Sequence, residues 1–272
     1  MIGPAIVFAV DAQGRGVHMR LDQHTLIAGV TGSGKSSATY EIIRNAAGMP
    51  SVCVCGVDPT GILLGPLGTH RWISVGSSKE QLLAATAALS AIESELDRRL
   101  AALADVGIDL IPFSWLGRDL PLVVVVLEEW AALQLQLARA ERLEAERIVA
   151  RIGMEGRKVR INLLISVQRP EAKLLEGVRS QLTQIMCMAQ TDATSIKMAS
   201  EVIFEDKSLV SMILGARPGQ GVLVGPGIAP TPFKARFLDY AGYREALAQA
   251  LFTARETNAG VATARLGGGE FL

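Results

Sequence analysis

Apolar and polar positions along the chain follow two alternating regimes. Short, mostly apolar runs occupy residues 26–28, 51–57, 122–127, 161–167, 185–189 and 221–224, and most are closed by glycine or a carboxylate. Runs of that length without polar alternation predict strands buried on both faces, as in a parallel sheet covered by helices. Between them, apolar residues return every three or four positions over 38–47, 79–104 and 133–158, the period of amphipathic helices. In the 79–104 stretch the stripe is Leu82, Ala85, Leu89, Ile92, Leu96, Leu100 and Leu103, which places Glu93, Glu95, Asp97, Arg98 and Arg99 mostly on the wet side. Residues 5–10 and 16–21 flank Asp11-Ala12-Gln13-Gly14 and read as a hairpin. Residues 105–119 hold Gly107, Pro112 and Gly117 and read as a loop. A short helix is expected over 244–255, then a loose tail with Gly267, Gly268 and Gly269. The expected fold class is α/β, with at least six strands in a mostly parallel central sheet flanked by helices, and an N-terminal β-hairpin. No internal repeat and no linker splits it.

Chemistry enters where the first buried run ends. Gly29, Gly34, Lys35 and Ser36 fit G-x-x-x-x-G-K-S/T, with a strand before and a helix after. In such a loop, small residues let consecutive backbone N–H groups curl around phosphate oxygens while the helix directs its positive end at them. The expected ATP-binding residues are Gly29, Thr31, Gly32, Ser33, Gly34, Lys35, Ser36 and Ser37. Lys35 would reach the β- and γ-phosphates, and the Ser36 hydroxyl would hold Mg²⁺. The alternative is a plain glycine turn between a strand and a helix.

The apolar run 122–127 ends in Glu128-Glu129. Two carboxylates at the tip of a buried strand can divide the work, Glu128 orienting hydrated Mg²⁺ and Glu129 polarising the attacking water. Their other role is to begin the next helix favourably at its positive end. Asp58 closes the 51–57 run, and Gln168 closes 161–167, where a polar amide can sense a γ-phosphate. In an open α/β sheet that edge binds ligands.

Composition narrows the class. The chain has 272 residues, 49% of them hydrophobic, enough for a sizeable core. No apolar run approaches the roughly 18 residues of a membrane span, and Met1-Ile2-Gly3-Pro4-Ala5 lacks a basic leader. A cytoplasmic location without an integral membrane segment is expected, with recruitment by a membrane partner left open. Cys53, Cys55 and Cys187 fall inside strand-like runs and read as buried free thiols. Lys plus Arg equals Asp plus Glu at 27 each, so a nucleic acid could not be held by bulk charge. A local cluster, or a few cations repeated around a ring, would have to do it.

The order of these parts resembles the FtsK/SpoIIIE-like DNA translocases of the RecA/HerA group of P-loop ATPases, from about His24 to Asp239. The loop from His24 to Ser36 looks like the family's nucleotide loop, and Gly56-Val57-Asp58-Pro59 is similar to its strand-end Asp-Pro. Glu95 to Arg99 is similar to its helix with paired arginines, and 120–133 to its second nucleotide motif. Gly156-Arg157, the strand that follows and Gln168-Arg169-Pro170 look like its arginine, strand and Gln-Arg-Pro signature, and 218–224 its closing glycine-rich strand. The resemblance implies a RecA-like P-loop NTPase fold, divided as a hairpin extension (1–23), a motor domain (24–243) and a C-terminal helix and tail (244–272). It implies an ATP-hydrolysing ring, a homo-hexamer, that moves double-stranded DNA in conjugative transfer or similar movement. Catalysis would fall to Lys35, Glu129, Gln168 as γ-phosphate sensor, and Arg157 as a finger offered to the neighbouring subunit. Arg169 and Arg179 would meet DNA, although Arg169 also reads as an ordinary surface residue.

The chain departs from the family in having Glu128 where Asp is usual, and Asp192 near a further basic pore position. Type VII secretion motors share these modules and move protein, which keeps that role open, as does a slow nucleotide-binding structural subunit. No L-S-G-G-Q stretch and no N-K-x-D occurs, which disfavours an ABC-type ATPase and a GTPase.

Overall fold

A computed structural model of the chain describes residues 3–265. The elements run β1 (Ala5–Val10), β2 (Gly16–Arg20), β3 (Thr25–Ala28), α1 (Lys35–Ala47), β4 (Val52–Asp58), β5 (Ile73–Val75), α2 (Lys79–Val106), β6 (Leu122–Leu127), α3 (Trp130–Gln136) and α4 (Arg139–Glu155). They continue with β7 (Ile161–Val167), β8 (Gln184–Met188), α5 (Ala193–Ala199), α6 (Glu201–Glu205), α7 (Lys207–Leu214), β9 (Gln220–Gly225), β10 (Ile228–Ala235) and α8 (Tyr240–Arg265). Among the described residues the strands form one sheet in the order β2-β1-β10-β9-β8-β3-β7-β6-β4-β5. Its half from β8 to β5 is parallel, and the half from β8 to β2 is antiparallel. The expected hairpin is therefore the outer margin of the main sheet, joined to it where Ala9 pairs with Ala235.

Strand periodicity sorts the core into two layers. Val123, Val125 and Leu127 of β6 join one apolar cluster with Leu89, Ile92 and Leu96 of α2 and Ile148 and Ile152 of α4. Their alternates Leu122, Val124 and Val126 join the other, with Ile42 and Ile43 of α1 and Tyr243 and Leu247 of α8. Helices thus cover both faces of the parallel half, which is why its strands carry no polar alternation.

The structure corrects four expectations. Arg99 is not on the wet side of α2. It is 1% exposed, and its guanidinium donates to Glu95 and to the carbonyls of Pro121 and Val159. The 133–158 stretch is two helices, broken at Leu137 and Ala138, which take extended backbone angles although neither is a helix breaker. The C-terminal helix spans Tyr240–Arg265 and continues through Gly260. Residues Gly267 to Gly269 lie outside the described residues. Cys53 is only half-buried, whereas Cys55 and Cys187 are buried, and all three are free.

Sequence periodicity also passed over β5, β10 and the run α5 to α7. β5 is three residues long, and β10 contains Pro230 and Pro232, which argue against a strand until its antiparallel place in the sheet is known. The three short helices begin at side-chain caps, Asp192, Ser200 and Asp206, each accepting backbone N–H groups of the following turn. Among the described residues no helix is long and apolar enough to cross a membrane.

Candidate active site

Parallel alignment of β3, β7, β6 and β4 brings their C-terminal ends to one edge of the sheet. The glycine loop leaves β3 there, Gln168 leaves β7 and Glu128-Glu129 leave β6. The loop is tightly seated. A Cβ on Gly34, whose φ is 85°, would lie 2.3 Å from the Gly219 nitrogen, and one on Gly29 would lie 2.7 Å from Ser33 Oγ. The Gly29 N–H donates to the Val167 carbonyl at 3.2 Å, and the Gly219 N–H donates to the Ser33 carbonyl at 2.8 Å. Helix α1 then starts without a side-chain cap and without an acidic residue in its first turn. Its first N–H groups lack helical acceptors, so this end of the helix is an anion site.

A cavity of about 490 Å³ opens over the loop, within the range of roughly 300–1,000 Å³ usual for small-molecule sites. Thr31, Gly32, Gly34, Lys35, Ser36, Ser37, Glu129 and Gln168 line it. Lys35 Nζ donates to Glu129 Oε1 at 2.7 Å and to Ser166 Oγ at 2.9 Å, with Glu128 Oε1 at 3.8 Å. The open site therefore satisfies its cation with its own carboxylates. Glu129 itself has φ 47°, the left-handed region that a non-glycine residue seldom enters.

Glu128 is buried, and burial pushes its carboxyl pKa up, an effect that Lys35 opposes and that Glu129 and Asp58 reinforce. Its Oε2 has no hydrogen-bond partner. A buried carboxylate oxygen without a donor, together with the Ser36 hydroxyl in the cavity wall, fits Mg²⁺. No cluster of three His, Cys, Asp or Glu side chains that could hold a metal occurs among the described residues. A cation here would be held largely by phosphate oxygens and water, which is the habit of Mg²⁺.

Other expected residues have work of their own. The Thr31 hydroxyl donates to Gln168 Oε1 at 3.4 Å, which joins the loop to the end of β7. The Ser37 hydroxyl donates to the Leu238 carbonyl at 2.7 Å and accepts its N–H, so only the Ser37 backbone is left for a ligand. Asp58 is wholly buried, and its two oxygens accept from Thr60, Leu63 and Leu64. It shapes the turn after β4.

Lys35, Ser36, Glu129 and Gln168 meet around one cavity, but the three arginines do not join them. Arg157 is exposed in the short turn Gly156–Val159 that precedes β7, at the sheet edge opposite Lys35. Arg169 is exposed and pairs with Asp192 at 3.3 Å. Arg179 donates to the Pro170 and Met198 carbonyls and so braces the turn that follows Arg169. The sequence reading missed Tyr40, Lys234, Arg236 and Phe237, all in the cavity wall. Only Pro218-Gly219, in the glycine-rich strand start, carried a signal for that wall.

No protein-family model matches the chain. Over 165 residues it is 33% identical to the DNA translocase SftA of Bacillus subtilis, a match covering 57% of this chain and 17% of SftA. Over 204 residues it is 26% identical to the DNA translocase FtsK of Streptococcus pyogenes, covering 68% of this chain and 25% of that protein. The chain thus spans a quarter or less of the length of these relatives. In fold it is similar to the pCW3 conjugation coupling protein TcpA, with TM-score 0.71, 21% identity and 90% of this chain and 70% of that chain covered. It is also similar to the cytoplasmic domain of the type VII secretion ATPase EccC of Thermomonospora curvata, with TM-score 0.69, 20% identity and 90% and 31% covered. At such identities the structural likeness is one of fold, and it agrees with the P-loop architecture built above. In sequence the chain is thus similar to FtsK-type DNA translocases over part of its length, and in fold to RecA-like P-loop ATPase domains.

Proposed function

We propose that the chain is an ATP-hydrolysing motor domain that acts in a ring and moves double-stranded DNA. The observation that carries this reading is the convergence of Lys35, Ser36, Glu129 and Gln168 on one cavity at an uncapped helix start. Phosphates entering there take Lys35 away from Glu129, whose carboxylate is then free to accept a proton from the attacking water. Gln168, linked to the loop through Thr31, orients that water or the terminal phosphate. Ser36 and Glu128 would hold Mg²⁺, which neutralises charge on the phosphates.

Arg157 lies at the other edge of the sheet, so it can complete a neighbour's site and not its own. That fits a finger supplied in trans, a contribution worth about 10³ to 10⁵ in rate in P-loop enzymes. Repetition of Arg169 around a ring would supply the local positive charge that a neutral chain lacks, once DNA phosphate displaces Asp192. Relatives named as DNA translocases support this choice of substrate.

Steady-state ATPase activity with no polymer, linear duplex and single strands, each at low and moderate salt, tests the reading. Duplex stimulation that fades with salt is expected, and a salt-independent response would contradict phosphate contacts through arginine. The Arg169–Asp192 pair and the balance of charges favour one second reading, a protein-moving ATPase of the type VII kind. Hydrolysis that no nucleic acid stimulates would support it.

A further inference from the structure

The phosphate end of the cavity is defined by the glycine loop, and the wall beyond it is built from the segment that follows β10. Phe237 lies in that wall and is 81% exposed, the most exposed large apolar side chain among the described residues. The backbone on either side of it is fixed. The Ala235 N–H donates to the Gly219 carbonyl at 2.8 Å, and Leu238 is held through both its N–H and its carbonyl by the Ser37 hydroxyl. Ser37 follows Lys35 and Ser36 in the first turn of α1, so the ring is mounted at a set distance from the phosphate donors. Lys234 and Arg236 precede it and also lie in the wall, and neither side chain has a hydrogen bond or ion pair among the described residues.

An aromatic ring left in water on a pinned backbone, beside two unpartnered cations and an anion site, matches a ligand with a flat heteroaromatic part joined to a polyanion. We propose that Phe237 is the base-stacking platform of this site, and that the site therefore accepts purine nucleoside triphosphates with little choice between adenine and guanine. Stacking reads the area of a π-face and not the hydrogen-bonding edge, which makes it tolerant of base identity. The inference rests on the nucleotide reading of the cavity and adds which wall takes the base.

Calorimetric titration of the full chain with ATPγS, GTPγS, ribose 5-triphosphate and inorganic tripolyphosphate tests it. ATPγS and GTPγS should bind alike, and about 5- to 100-fold more tightly than ribose 5-triphosphate. Phe237→Ala should remove that difference and Phe237→Trp should keep it. Tripolyphosphate binding should be unaltered by Phe237→Ala and lost in Lys35→Ala, so the phosphate end is read separately. A base-dependent difference that survives Phe237→Ala at full size would overturn the proposal. So would a Phe237→Ala chain whose only change is its sedimentation, because the ring would then serve subunit contact. If the wild-type chain bound neither ATPγS nor tripolyphosphate, the nucleotide reading would fail and the platform with it.

Discussion

Lys35 and His24 stand on the same short strand path, one after its end and one at its start, and each is legible in the sequence to a different degree. The spacing of Gly29, Gly34, Lys35 and Ser36 announces the loop, because phosphate binding needs those types at those positions. Lys35→Ala is expected to abolish binding of nucleotide triphosphate, whereas Glu129→Gln should preserve it and lower hydrolysis by about 10² to 10⁴, the usual worth of a general base. Equilibrium binding together with single-turnover hydrolysis separates the two. His24 carries no such signal. It is wholly buried, and its Nδ1 accepts the Leu163 N–H at 2.9 Å. Burial first, and then the Arg157 charge, lower its pKa to about 4, against a smaller opposing pull from the Gly153 backbone. The unfolded chain binds this proton near pH 6.5 and the folded chain does not, so the stability is fully present above pH 6.5. It is lost as pH falls toward about 4, by about 3 kcal/mol. Urea denaturation at pH 7.5 and pH 5 should show about 2 kcal/mol of that loss, and His24→Gln should flatten it. Phe237 was illegible for a different reason: an exposed phenylalanine after a strand reads as surface until the fold brings it beside the loop.

Helix α2 shows what periodicity reads well and what it misreads. The apolar stripe gave its extent to within two residues, because packing against the sheet imposes the period. It misplaced Arg99, since a heptad-like stripe assigns charges to water and cannot foresee that two carbonyls, of Pro121 before β6 and Val159 before β7, need a donor from this helix. Glu95 lies 2.6 Å away and completes a buried pair. Removing one partner of such a pair strands the other, so Arg99→Ala is expected to lower stability by about 3–5 kcal/mol. Arg98→Ala, at a side chain 60% exposed, should cost under about 1 kcal/mol. Chemical denaturation of the two variants makes the comparison. β10 was missed for its prolines and α5 to α7 for their brevity, where local caps do what periodicity could not report.

At the scale of the molecule, the parallel half of the sheet was readable from its short, mostly apolar runs, and the antiparallel half was not, because its order depends on pairings distant in sequence. The length of β7 separates Arg157, before its start, from the cavity at its end. If the finger acts between copies, an inactive Lys35→Ala chain and an inactive Arg157→Ala chain should restore part of the ATPase activity when mixed, through sites built with one good half from each. An arginine acting within its own subunit would give no recovery.

The hydrogen bonds around Gly219 have a mechanical consequence. Ser33 in the loop receives the Gly219 N–H, Gly219 receives the Ala235 N–H, and Ala235 pairs with Ala9 in the hairpin. Three peptide groups in series form a tie-rod from the phosphate loop to the outer margin of the sheet. Filling the cavity would pull on that rod, and slower amide exchange at Ala235 and in β1 on addition of nucleotide would register the tension.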